Sequence, residues 1–172
     1  MLGRARKKQG QTMVETALAI PFLMLMLLGV IYFGYYFYIA NIVSFAAQQG
    51  AITAGSTPDL QDSSVRDSVR GFSPSGQTTN TSSLVYNILA SASLLNGGMQ
   101  GSLPTGAQVL ILPYDGGTAS PALPAGAVAF QITYPFKLFG SSSNFTGTIY
   151  GFPNLNIVQQ AAVFPQVYEE SQ

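Results

Sequence analysis

Polar and apolar positions divide the chain unevenly. Residues 16–58 contain no Asp, Glu, Lys or Arg, and Ala17 to Ala40 is apolar or aromatic throughout, glycine and proline included. A helix needs about 20 such residues to cross the ~30 Å hydrocarbon of a bilayer, so this run predicts a membrane-spanning helix. From Thr12 to Ala54, at about 1.5 Å per residue, the helix is expected to reach ~65 Å, about twice that thickness, so that half of it protrudes. Past Tyr38 the pattern narrows. Val43, Ala46, Ala47, Gly50, Ala51 and Ala54 recur at helical offsets and make one face of mostly small side chains, with Asn41, Ser44 and Gln48 roughly opposite. Small residues admit close approach, so this face is expected to seat either the rest of the chain or a neighbouring helix. Pro21 removes the N–H that would bond Ala17, which predicts a kink or a melted turn inside the span. The Tyr and Phe residues from Tyr32 to Tyr38 read as an interfacial aromatic belt or as packing between subunits.

After the apolar run, Thr57 as N-cap, Pro58 at the first position and Asp59 in the first turn predict a short helix from Pro58 to Arg70 that stops at Gly71. Asp59, Asp62 and Asp67 lack the spacing and the glycine of a calcium loop. With Asp62 four residues before Arg66 they read as a solvated face. Gly71 to Ser83 reads as an exposed loop. Leu84, Ile88, Ala92 and Leu95 predict a second short helix closed by Asn96-Gly97-Gly98. From Ala107 the character changes. Val109 to Leu112 and Val128 to Tyr134 are β-branched or aromatic runs bounded by Gly and Pro, joined by a loose connection, Tyr114 to Ala125, and read as a hairpin. Asn156 to Val163 supplies a third strand, which makes the sheet large enough to be stable on the small-residue helix face. Pro135 and Pro153 mark the segment between them as edge or loop. The fold class is therefore α+β: a long N-terminal membrane-spanning α-helix followed by a small exterior domain with short helices and an antiparallel sheet of about three strands.

Four of the seven basic residues, Arg4, Arg6, Lys7 and Lys8, stand before the apolar run, with no acid before Glu15. By the positive-inside rule the N-terminus is expected to be cytoplasmic and the chain beyond Ala40 exterior, a single-pass protein of the cytoplasmic membrane. Without residues 1–10, three basic residues (Arg66, Arg70, Lys137) face seven acidic ones, 3 − 7 = −4, so the formal neutrality joins a basic inner end to a mildly acidic exterior. The run is too long for the 7 to 15 apolar residues of a secretory signal. Only 8% of residues are charged, against about 25% in a typical soluble domain.

At the junction, Lys7-Lys8-Gln9-Gly10-Gln11-Thr12-Met13-Val14-Glu15 is a basic leader, a glycine, and a glutamate five residues after it at the mouth of the apolar helix. In this the chain resembles the TadE-like pseudopilins of tight-adherence pilus systems, relatives of type IV pilins. Pro21, the Gly29 and Tyr/Phe-rich end of the span and the small-residue segment near Gly55 also match, and Tyr134-Pro135-Phe136 looks like that family's exterior domain. Thr16 departs from it, since main pilins of this system usually carry an aromatic there. The resemblance implies that a prepilin peptidase cuts after Gly10 and that Gln11 becomes the mature N-terminus. It also implies that the Glu15 carboxylate pairs with the new α-amino group, most plausibly on a neighbouring subunit, and that assembly into a surface pilus runs through the helix. Glu15 also has a simpler reading: Thr12 to Glu15 fits a capping box, where a carboxylate complements the helix dipole.

The organisation expected is a leader over 1–10, a helix over 11–55 that spans the membrane or forms a filament core, and an exterior domain over 56–172. Pro21, Gly29, Gly34, Ala40, Ala47 and Gly50 are the expected packing positions on the helix. Chemistry has little to work with. Cysteine and histidine are both absent, which excludes disulfides, Cys or His metal sites and His-based catalysis. No phosphate-binding loop or nucleophile elbow occurs, Gly97, Gly98, Gly116 and Gly117 read as turns, and Lys137 is the one lysine outside the leader. Asn80-Thr81-Ser82 and Asn144-Phe145-Thr146 match the N-glycosylation pattern, a triplet common by chance. The expected function is that of a pilin-like structural subunit, minor pseudopilin or filament subunit, and not an enzyme. Its expected partners are other pilin or pseudopilin subunits, a prepilin peptidase and the membrane, with no cofactor, nucleic acid or small-molecule substrate. The alternative is a membrane-anchored exterior binding domain outside any filament.

Overall fold

The computed structural model describes residues 3–97, 101–117, 122–136 and 155–165. Its elements run α1 (Gly3–Ser56), α2 (Ser63–Arg70), α3 (Leu84–Ser91), β1 (Gln108–Leu112), β2 (Val128–Phe136) and β3 (Leu155–Val163). The strands form one antiparallel sheet in the order β1-β2-β3. This is the α+β arrangement expected from the sequence. The chain divides into two compact units with the boundary inside α1, between Tyr38 and Ile39.

In the first unit, α1 passes through Pro21 with no melted turn, one of the two outcomes expected there. Strong helix formers such as Leu, Met and Ala on both sides carry the helix across one missing hydrogen bond. In the second unit, the small-residue face of α1 is the seat of the sheet. Val43, Ala46, Ala47, Gly50, Ala51 and Ala54 are all buried. A Cβ at Gly50 would lie 2.7 Å from the ring of Phe130, and one at Gly55 would lie 2.8 Å from Cγ1 of Val163. Phe130 pairs with Ala161 on the neighbouring strand, so these contacts set the inner face of β2 and β3 against the helix. The helix then ends because Thr57 turns its hydroxyl back to the carbonyl of Thr53 (2.7 Å) and Pro58 cannot continue it.

The expected helix from Pro58 starts five residues later. Thr57 finishes α1 instead of starting α2, and Asp59 takes a left-handed conformation (φ 58°), so the N-cap role passes to Asp62, whose carboxylate accepts from the Ser64 N–H (2.9 Å). The end at Gly71, φ 77°, is as expected. With Asp62 committed to the cap, Arg66 does not pair with it. The segment expected to be a loose exposed loop, 71–83, instead buries Phe72, which packs on Tyr86 with ring centroids 5.5 Å apart. In α3 the buried face is Val85, Tyr86, Leu89 and Ala90, not the Leu84 and Ile88 side. Ala92 is the C-cap, its N–H still bonded to the Ile88 carbonyl (3.3 Å), and Ser93 then turns left-handed (φ 57°), so Leu95 falls outside the helical spacing.

Pro135 does not end its strand. Antiparallel pairing turns the N–H and C=O of one residue to the same side, alternating along the strand. Ile111 donates to a carboxylate oxygen of Asp115 (2.8 Å) and accepts from the Asp115 N–H (3.0 Å), so its backbone faces away from β2. Its partner Phe130 therefore turns toward β3, and alternation turns Pro135 toward the β1 side. There β1 has already ended, its last pair being Gln108 with Thr133. The missing N–H thus falls where no β1 residue is present to receive it, and β3 pairs on to Phe136. Pro153 lies outside the described residues.

Gly50 and Gly34 separate packing from helix propensity. Gly50→Ala is expected to destabilise the second unit by about 1–3 kcal/mol, because the ring of Phe130 must give way. Gly34→Ala, with open space around its Cα, should leave it unchanged. Thermal unfolding of the two variants in detergent, followed by near-ultraviolet circular dichroism, measures the difference.

Candidate functional site on the first helix

The residues singled out in the sequence are strung along α1 and fall into two settings. Gly10, Gln11, Glu15, Pro21, Gly29 and Gly34 belong to the first unit, and Ala40, Ala47 and Gly50 to the second. From Met13 to Tyr38 large apolar side chains are exposed, among them Leu18, Phe22, Leu25, Leu28 and Phe37. A Cβ at Gly29 or Gly34 would meet nothing within 4 Å. A helix glycine is less favourable than alanine by about 1 kcal/mol, and no contact within the described chain accounts for either one. The aromatic segment packs edge to face along the helix, Tyr32 with Phe33 at 5.7 Å and Tyr36 with Phe37 at 5.8 Å between centroids. Ala47 and Gly50, by contrast, are buried under the protein's own sheet, and Ala40 is half-buried.

Glu15 is exposed on α1. The helix begins at Gly3, so Thr12 stands about two and a half turns inside it and the Thr12–Glu15 capping box has no helix start to cap. Residues 3–10 continue the helix without a break, and a box at Thr12 can form only on a chain that begins near Gln11.

The charged residues that sequence reasoning misplaced lie in the second unit. Asp115, expected in a loose connection, has its side chain only 2% exposed, and its carboxylate takes Arg66 Nε at 2.8 Å and Arg70 Nη1 at 2.5 Å. Arg70, 1% exposed, also pairs with Asp67. Arg66 donates further to the carbonyls of Leu60 and Gln61 and lies over the ring of Tyr114 at 5.9 Å. Two arginines and two aspartates thus form a closed cluster that ties α2 to the end of β1. Among the described residues no group of His, Cys, Asp and Glu could hold a metal ion. Asn80 uses its side chain within the fold, donating to the Ser68 carbonyl (3.0 Å) and accepting from the Ser82 N–H (2.9 Å). Asn144 and Lys137 lie outside the described residues.

This geometry defines a protein with one N-terminal helix, Met13–Ser56, long and apolar enough to cross a membrane, joined to a small α+β unit seated on its second half. The model of the family described as TadE-like protein matches residues 10–51, so the resemblance of this helix to that family holds. The match starts at the glycine of the leader junction and ends in the small-residue seat. No curated protein matches the chain, and no solved structure does.

Because Glu15 is exposed and caps nothing in this helix, Glu15→Gln is expected to leave both the helix content and the unfolding temperature of the full-length chain unchanged. Far-ultraviolet circular dichroism and a thermal melt check this.

Proposed function

We propose that this chain is a pilin-like structural subunit of a Tad-type surface pilus, inserted in the membrane by α1 and assembled through the first unit of that helix. The observation that carries the reading is the TadE-like match over residues 10–51, which takes in Gly10 and Glu15 at their characteristic separation. The exposed apolar surface from Met13 to Tyr38 and the open space at Gly29 and Gly34 support it. Lipid can cover such a surface, but lipid does not call for two glycines among Leu, Phe and Tyr. Helices associating in a membrane are driven by packing, for which small residues among large ones provide shape.

In this reading a prepilin peptidase removes residues 1–10 on the cytoplasmic side and leaves Gln11 with a free α-amino group. Glu15 then sits near hydrocarbon, where an unpaired charge is costly. The α-amino group of a neighbouring subunit, of ordinary pKa near 8, neutralises it. The chain works by packing, with no catalytic step, and the second unit faces the exterior. Its partners are further pilin or pseudopilin subunits.

N-terminal sequencing or intact mass of surface material is expected to give a chain beginning at Gln11, and Gly10→Val to retain the precursor in the membrane. Recovery of Met1 on the assembled protein would overturn cleavage. Gly34→Leu should insert normally and leave the second unit folded, yet abolish co-purification of differently tagged copies. Unchanged co-purification would favour a membrane-anchored binding domain instead.

A further inference from the structure

The two edges of the sheet are treated differently, and the difference points to a device that the pilin reading does not contain. At the β1 edge, Asp115 satisfies both outward backbone groups of Ile111, its carboxylate taking the N–H and its own N–H serving the carbonyl. Those are the two bonds that an incoming strand would make there, with one of its residues if antiparallel and with two if parallel. The carboxylate is locked in place by Arg66 and Arg70, and all three side chains are largely withdrawn from water. Asp115 therefore acts as a one-residue stand-in for a neighbouring strand.

Among the described residues the β3 edge carries none of the usual protection. Edge strands are ordinarily kept from pairing by charge, proline, bulges or short length. β3 is nine residues long, pairs with β2 in unbroken register, and contains no charged residue and no proline. By the alternation fixed at Ile111, the backbone groups of Asn156, Val158 and Ala162 point away from β2, and among the described residues no strand pairs there. Val158 and, just past the strand, Phe164 are exposed by 50% and 64%.

In an antiparallel three-stranded sheet the two edge strands run in the same direction. Copies of this chain held in one membrane by α1 share an orientation, so β3 of one copy meets β1 of the next in parallel. That contact is head to tail, does not close, and generates an open-ended array. We propose that Asp115, held by Arg66 and Arg70, is an edge guard that blocks the docking of β3 from a second copy onto β1. The interaction surface is the β1 edge around Ile111 and its occupant is the uncharged β3 strand. The proposal rests on the membrane anchoring of α1 and not on the pilus.

The test uses the full-length chain in detergent in the Gly34→Leu background, where association through the helix is removed, so that failure of the guard and failure of the pilin reading are read separately. Two guardless variants are compared with this parent. One is Asp115→Asn. The other is Arg66→Leu, Arg70→Met, Asp115→Leu, since replacing a whole buried ion cluster by apolar side chains is often neutral for stability where removing one member is not. Whichever keeps the parent's circular dichroism decides. The expected result is a species of one size for the parent and, for the guardless chain, species that grow with concentration in sedimentation velocity. Adding Val158→Lys, a charge on the exposed face of β3, should abolish that growth while leaving the parent unaffected. A folded guardless variant of the parent's size would overturn the proposal, and so would growth that Val158→Lys does not suppress.

Discussion

The second unit depends on how closely one helix face can approach a sheet. Gly50 has no side chain, and the Phe130 ring fills the space where a Cβ would be, 2.7 Å from that point. With Val43, Ala46, Ala47, Ala51 and Ala54 beside it, the helix presents a shallow surface on which the large side chains of the sheet, not those of the helix, supply the packed volume. A fully buried Phe or Ile contributes about 1.5–3 kcal/mol relative to exposure. Phe130, Ile111 and Ile132, at 0% exposure, realise that gain only because the helix gives them room. A Leu-rich face would hold the sheet off.

The same contact divides α1 between two kinds of surface. From Ile39 onward its small face is used up within the chain, which removes Ala47 and Gly50 from the positions open to a neighbour. Before Tyr38 the helix surface is apolar and exposed on nearly every side, and there the two glycines meet no part of their own chain. Association between copies, where it follows packing rules, is thereby directed to Gly29 and Gly34 and away from the small-residue stripe, although composition alone makes the stripe the better-looking seam.

Periodicity made the long helix, the hairpin, the third strand and the seat of the sheet readable, because each depends on a repeated pattern over many residues. What sequence reasoning placed wrongly depends on single residues. Thr57 and Asp62 are both good N-caps, and the left-handed Asp59 between them decides which one starts α2. Pro135 is a poor strand residue on average, and its tolerance follows from the length of β1 on the far side of the sheet. Asp115 reads as part of a turn because it precedes two glycines. One signal was present in the sequence: between Arg70 and Lys137 it is the only charged residue. A lone acid in so long an uncharged stretch, with two arginines spaced i, i+4 before it, fits a buried partner better than a solvated turn. Of the site on α1, Gly10 and Glu15 were legible as a junction motif. The capping box was not, because it presumes a helix start that the intact leader abolishes by continuing the helix to Gly3.

The scarcity of charge and the burial of charge are connected. A sheet protein commonly protects its edges with lysines and carboxylates set on the surface, which also keep copies apart in water. This chain has few charges, and outside the leader its described arginines are both drawn into the Asp115 cluster. Burying an ion pair is a poor route to stability, since desolvation offsets much of the attraction. The position of the cluster is therefore more informative than its strength. It lies at the end of β1, a strand with no charge of its own, and it holds in place the one residue that serves both outward groups of Ile111, its carboxylate accepting the N–H and its backbone N–H donating to the carbonyl. A chain with so few charges cannot rely on repulsion to keep its edges apart. Filling the hydrogen-bonding positions from within achieves the same end without placing charge on the surface.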